Sequence, residues 1–176
     1  MKPLAYLFIL YYYWLEFTRR IRTMALYLVQ HGKSLPKDID PDQGLSEEGV
    51  AETKRIADVA ANYRINVSQI KHSVKIRASK TAEILASALN PTGGIVEVSG
   101  LKPLDDVITF AAAIGAEENC MLVGHLPFME RMTAYLVTGT ADKPVFKFQN
   151  SGIVCLNKDP DIGSWVIVWT LMPNIG

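Results

Sequence analysis

The sequence predicts an α/β fold of three layers, with a mostly parallel central sheet and helices on both faces. From Met24 onward, short apolar runs alternate with amphipathic stretches, the pattern of βα units. The length of 176 residues, 49% of them hydrophobic and 20% charged, suits a single well-filled core and excludes a solvated, disordered chain. Two apolar runs also end alike. Leu26-Tyr27-Leu28-Val29 leads into Gln30-His31-Gly32, and Met121-Leu122-Val123 leads into Gly124-His125-Leu126-Pro127. In an open α/β sheet the carboxyl ends of parallel strands border the ligand crevice, so residues distant in sequence can meet there.

Residues 1–23 read as an extension preceding one domain over 24–176. Leu4 to Leu15 is apolar and aromatic, and is followed by Glu16, Arg19, Arg20 and Arg22. As a helix, that apolar run reaches about 18 Å, short of a hydrocarbon core of about 30 Å. The arginines and the single early charge, Lys2, also fit a signal peptide poorly. Two readings remain: an over-extended start, with Met24 as the physiological one, or an interfacial membrane segment. Membrane contact is expected only if residues 1–23 are made.

After the first strand, the Lys33 to Gly44 loop carries Pro36 and Pro41 and should lie over the mouth of the site. Ser46 is a good N-cap, Glu47 and Glu48 suit the positive end of a helix dipole, and Val50, Ile56, Val59, Ala60 and Tyr63 supply an inward face. These predict a helix over Ser46–Tyr63. A strand near Ser68–Lys71 should turn at His72-Ser73 into a helix over Ile76–Leu89, closed by Asn90-Pro91. Ile95–Val98 reads as a strand and Asp105–Ile114 as a helix. Pro127 fits the first helical position of a helix continuing over Phe128–Val137. The tail changes period: Val145–Phe148, Ile153–Leu156 and Trp165–Leu171 read as strands, with Asp159-Pro160-Asp161 turning between the last two. Phe146, Phe148, Trp165 and Trp169 alternate at strand spacing and should face the core.

Eighteen basic and eighteen acidic residues give no net charge, so wholesale binding to nucleic acid is not expected and any phosphate site must be local. Cys120 and Cys155 lack paired spacing and read as buried packing thiols, which points to a reducing compartment, the cytoplasm. No third donor accompanies the strand-end histidines, so neither a metal nor another cofactor is expected.

Taken as chemistry, one neutral imidazole can attack phosphorus and a second can donate a hydrogen bond to a phosphoryl oxygen. Taken singly, each histidine could equally be a satisfied structural residue. Gly32 lets the backbone bend beside His31 and lets a ligand approach closely. Arg77 falls in the first turn of its helix, where a basic side chain gains nothing from the dipole. With Lys75 and Lys80 it is placed for an anion, or is simply a solvated basic patch. His72 reads as a partly exposed loop histidine.

The order of four motifs is more specific than any one of them. Leu26 to Gly32, then Leu45-Ser46-Glu47-Glu48-Gly49, then Ser73 with Arg77-Ala78 and Thr81-Ala82-Glu83, then Gly124-His125-Leu126-Pro127 resemble the histidine phosphatase superfamily, which is phosphoglycerate mutase-like in fold. The small span between Glu83 and Cys120 and the Trp169 to Pro173 ending resemble the SixA-type phosphohistidine phosphatases. The resemblance covers about Ala25 to Pro173. It implies that His31 takes the phosphoryl group covalently and that Arg77 and His125 bind phosphate beside Gly32. The implied substrate is phosphohistidine in a protein partner, or a small phosphorylated molecule.

Two positions depart from the family pattern. The arginine before the nucleophile is Gln30 here, whose amide can hydrogen-bond phosphate without charge, and Lys33 is placed to compensate. A charge-assisted bond contributes about 1.5–3 kcal/mol against about 1 for a neutral one, so phosphate affinity would fall about tenfold. The proline after the motif serine is Val74, which alters local loop geometry. Larger members also supply an acid to the leaving group. Asp105 and Asp106 are the candidates by position, although both suit helix capping better. Phosphohistidine lessens the need, because imidazole leaves with a conjugate-acid pKa near about 6.5. The rival reading is a domain of the same fold that binds phosphate or phosphoprotein without turnover.

Overall fold

The computed structural model describes residues 25–114 and 119–175. In chain order the elements are β1 (Ala25–Gln30), α1 (Glu47–Asn62), β2 (Gln69–Ser73), α2 (Ile76–Leu89), β3 (Ile95–Val98), α3 (Val107–Ile114), β4 (Cys120–Gly124), α4 (Phe128–Thr138), β5 (Ile153–Lys158) and β6 (Trp165–Leu171). They form one sheet in the order β3-β2-β4-β1-β5-β6. The first four strands are parallel, and β5 and β6 add antiparallel at one side. The mostly parallel α/β architecture is therefore as expected.

Strand side chains alternate between faces, and each face finds its own cover. Ala25, Tyr27 and Val29 pack with Ile56, Ala57 and Ala60 of α1 and with Ala78, Ala82 and Leu85 of α2. Leu26 and Leu28 pack with Val107 and Ile114 of α3 and with Phe128, Met129 and Met132 of α4. That two-sided cover is why β1 and β4 read as continuous apolar runs. Each fully buried Leu, Ile or Phe contributes about 1.5–3 kcal/mol through removal from water.

α1 starts where its cap predicts: the Gly49 N–H donates to Ser46 Oγ at 3.1 Å, and Glu47 and Glu48 occupy the first turn. Its inward stripe is Gly49, Thr53, Ile56, Ala57 and Ala60. Tyr63, expected inside, caps the helix and is 80% exposed, because it lies one residue past the last turn that touches the sheet. α2 closes on Asn90 in the left-handed region, φ 48°. Cys120 and Cys155 are buried, and burial pushes the Cys155 thiol up to about 12.

Five expectations are corrected. β2 continues through His72 and Ser73, which pair with Glu97 and Val98 of β3. His72, expected in a partly exposed loop, is consequently buried in a strand flanked by β3 and β4. Residues 145–148 form no strand and pair with neither edge of the sheet, β3 or β6. Phe146 and Phe148 still cover the core, their rings edge-on at 5.4 Å, held by burial instead of ladder hydrogen bonds. Asp105 and Asp106 precede α3 instead of opening it, and Pro127 is the N-cap of α4 instead of its first helical residue. The extension over 1–23 and the choice between Met1 and Met24 lie outside the described residues. No helix among the described residues is long and apolar enough to cross a membrane.

Candidate functional site

Three neighbouring parallel strands, β2, β4 and β1, finish at one edge of the sheet. Gln30 is in register with Gly124, and His72 with Val123, so His31, His125 and Ser73 emerge side by side. α2 begins just beyond β2 and brings Arg77 to the same edge. Sequence-distant groups thereby come together: the His31 and His125 ring centroids are 4.9 Å apart, edge to face, and Arg77 Nε donates to His31 Nε2 at 3.1 Å.

The hydrogen bonds of His31 fix its tautomer. Nδ1 lies 2.7 Å from the Gly32 carbonyl oxygen, which can only accept, so Nδ1 carries the proton. Nε2 is left with its lone pair and faces the Arg77 guanidinium. Burial, reinforced by the positive Arg77 and partly offset by the Gly32 bond, holds the His31 pKa down to about 4. His31 is therefore neutral at neutral pH, with Nε2 unprotonated.

His125 has the opposite pattern. It is 1% exposed, its Nε2 lies 3.0 Å from Ser73 Oγ, and its Nδ1 is buried without a partner. Burial, with the neighbouring His31, Arg77 and Lys75, pushes its pKa down to about 3. With the Ser73 hydroxyl donating to Nε2, Nδ1–H becomes a neutral donor waiting for an acceptor.

The backbone around His31 is held from several sides. Its N–H donates to Gly124 O at 3.0 Å, and its carbonyl accepts from Asn150 Nδ2 at 2.8 Å. The Ser151 N–H donates to Gln30 O at 3.0 Å, with Ser151 itself at φ 63°. The Gly32 N–H donates to Thr81 Oγ1 at 2.9 Å, whose hydroxyl donates to Arg77 O at 2.7 Å, tying the β1 turn to α2. A Cβ on Gly32 would stand 2.6 Å from Thr53 Oγ1, itself fixed by Gly49 O and Ser151 Oγ, so only glycine fits the turn.

The Lys33 to Gly44 loop does reach the site, because Gln43 Oε1 accepts from Arg77 Nη1 at 3.5 Å. The lysines contribute less than expected. Lys33 is paired with Glu48 on the surface and Lys80 with Glu83 at 2.8 Å, so Lys33 does not replace the missing guanidinium at Gln30. Gln30 Oε1 is buried without a partner.

Asp105 and Asp106 are not brought to His31. They line a groove of about 530 Å³ with Val74, Ser99 and Lys102, and His31, Arg77 and His125 take no part in it. Asp105 accepts from the Lys102 N–H at 2.8 Å. Asp106 accepts from Thr109 and from the Ile108 N–H, and these bonds hold its carboxyl below the usual range, as an ionised acceptor and not a proton donor. No group of three or more His, Cys, Asp or Glu among the described residues is placed to hold a metal ion.

Sequence reasoning singled out the two histidines, Arg77 and Gln30, of which the structure brings His31, His125 and Arg77 into contact. It missed the role of Ser73 as the partner of His125, and missed Thr81, Thr53, Asn150 and Ser151 altogether. Ser73 and Thr81 lay inside the recognised motif, and Thr81 stands one helical turn after Arg77, a spacing that could have marked it. Asn150 and Ser151 gave no such signal.

No protein-family model matches the chain. In sequence it is similar to phosphohistidine phosphatase SixA of Escherichia coli K12, 23% identical over 156 residues that make up 85% of this chain and 94% of that protein. In structure it is similar to protein histidine phosphatase SixA complexed with tungstate, with a TM-score of 0.73 at 24% identity over 85% of this chain and 97% of the other. It is also similar to a protein of Agrobacterium tumefaciens assigned as SixA, with a TM-score of 0.68 at 28% identity over 86% and 99%. A protein of Escherichia coli assigned as an α-ribazole-5′-P phosphatase shares the fold at 14% identity, with a TM-score of 0.68 over 87% and 99%.

Proposed function

Because the chain belongs to the histidine phosphatase superfamily and is SixA-type, we propose that it is a metal-independent phosphohydrolase working through a phosphorylated His31. The observation that carries this is the single lone pair of His31: Nδ1 is bound to Gly32 O, and Nε2 faces Arg77 and His125. In the first step the Nε2 lone pair forms a bond to phosphorus while the bond to the leaving atom breaks and its electron pair departs with that atom. In the second, water attacks the phosphorus and His31 leaves as the neutral imidazole. Arg77 turns from Nε2 to the phosphoryl oxygens, and His125 Nδ1–H donates to them, the positioning and charge stabilisation that dominate phosphoryl transfer.

The substrate that fits best is phosphohistidine in a protein partner, encountered in the cytoplasm. Among the described residues no carboxylate is hydrogen-bonded to His31, and an imidazole leaving group departs without the strong acid that an alkoxide needs. The relatives whose names include phosphohistidine support the same reading, while the α-ribazole-5′-P phosphatase likeness keeps small phosphoesters as the second. Protein mixed with labelled phosphohistidine substrate and quenched in alkaline denaturant should carry label on histidine, and His31→Ala should carry none. Wild-type labelling of His31→Ala, or faster turnover of sugar and nucleotide phosphates than of phosphohistidine protein, overturns the respective part.

A further inference from the structure

Gln30 ends β1 one residue before His31, in register with Gly124, the residue before His125, and its Oε1 is buried without a hydrogen-bond partner. A buried carbonyl oxygen left unpaired is costly, so an atom of this kind inside a binding site marks a missing donor. We propose that Gln30 tunes the pocket to a singly charged, proton-bearing phosphoryl group, whose P–OH donates to Gln30 Oε1, in preference to the doubly charged form. This rests on the phosphate-binding reading of the same site.

The charges around the site point the same way. Among the described residues the Arg77 side chain of α2 bonds to the neutral His31 and Gln43 and to no carboxylate, and Lys75 lies close enough to act on His125. On the β1 side Lys33 is turned to Glu48, and further along α2 Lys80 is turned to Glu83. From β4 comes His125, neutral above about pH 3, and from β1 His31, neutral above about pH 4. β2 contributes the Ser73 hydroxyl, and the segment before β5 contributes Asn150 and Ser151, all uncharged.

Arg77, half-buried, is the cation held against the bound group, while Lys75 is solvent-exposed and screened, so the pocket balances about one negative charge. A second negative charge would be poorly compensated there. A deprotonated phosphoryl oxygen would also face the Gln30 lone pairs as one acceptor against another, whereas a P–OH meets them as a donor. An arginine at this position would reverse both preferences, adding a charge and presenting only donors.

Inorganic phosphate and sulfate, titrated calorimetrically against the whole protein from about pH 5.5 to about 8, test this directly, because sulfate remains a dianion throughout. Phosphate affinity should fall as pH rises through its second ionisation, by up to about tenfold per pH unit, while sulfate binds weakly with little pH dependence. Gln30→Arg should flatten the phosphate slope and strengthen sulfate by about tenfold, and Gln30→Leu should lower phosphate affinity without strengthening sulfate. Phosphate affinity that is flat or rises with pH, an unchanged slope in Gln30→Arg, or no phosphate binding at all overturns the inference. Labelling of His31 alongside a flat phosphate profile would sink the selectivity and leave the phosphatase reading standing. The reverse result would sink turnover and leave the selectivity.

Discussion

The ends of β1 and β4 place the same residue type at the same edge and give it opposite surroundings. His31 is half-buried, bonded through Nδ1 to its own turn, with Nε2 turned toward Arg77. His125 is almost wholly buried, bonded through Nε2 to Ser73, with Nδ1 left open. With the Ser73 hydroxyl as the donor to His125 Nε2, one imidazole offers a lone pair and the other a proton. In the proposed reaction, what separates attack from stabilisation is which ring nitrogen carries the proton.

The sharpest way to break this contrast is to delete each histidine. His31→Ala should lower kcat by on the order of 10⁴-fold or more, since it removes the nitrogen proposed to take the phosphoryl group. His125→Ala should cost less, about 10²–10³-fold, the range seen when one donor to a developing charge is removed. His125→Ala should still accumulate labelled His31 in a slow single turnover. Equal losses of turnover and label in both variants would show that the two rings act as one unit and that the division of roles is wrong.

A smaller change tests the tautomer. Ser73→Ala removes the partner of His125 Nε2 without touching His31. Loss of one hydrogen bond of about 1 kcal/mol corresponds to a fall of roughly five- to tenfold in kcat/KM. Ser73→Thr should restore most of it, because the hydroxyl returns. A Ser73→Thr variant as impaired as Ser73→Ala would make the serine a packing residue only.

The two ends also differ in how far they could be foreseen. Both apolar strands, the glycine after His31 and the spacing of Arg77 were legible, because two-sided burial writes itself as an apolar run and a tight turn as glycine. What escaped was set by tertiary pairing. His72 and Ser73 looked like turn residues, but β3 and β4 supply their ladder bonds. Phe146 and Phe148 alternate like a strand and find no partner. Lys33 could be placed in sequence beside the site, yet only the fold shows Glu48 drawing it away. Asn150 and Ser151 reach the His31 backbone from more than a hundred residues downstream, a distance over which no local spacing speaks.

The weakest expected effect lies in stability. Both histidines have folded-state pKa values below the ordinary value, about 4 for His31 and about 3 for His125. Below about pH 6.5 the unfolded chain takes up protons at these positions that the folded chain refuses. Stability should therefore be lost as pH falls from about 6.5 toward about 4, with no contribution from these groups above that window. The urea midpoint should drop between about pH 7 and about pH 5, and His125→Asn should make that drop smaller by removing the more deeply buried ring. His31→Asn should flatten it less, because its ring is partly exposed and its pKa is less depressed. If the ordering of the two variants is reversed, the ring more strongly kept neutral is at the end of β1, and the contrast between an open and a sealed histidine has been drawn the wrong way round.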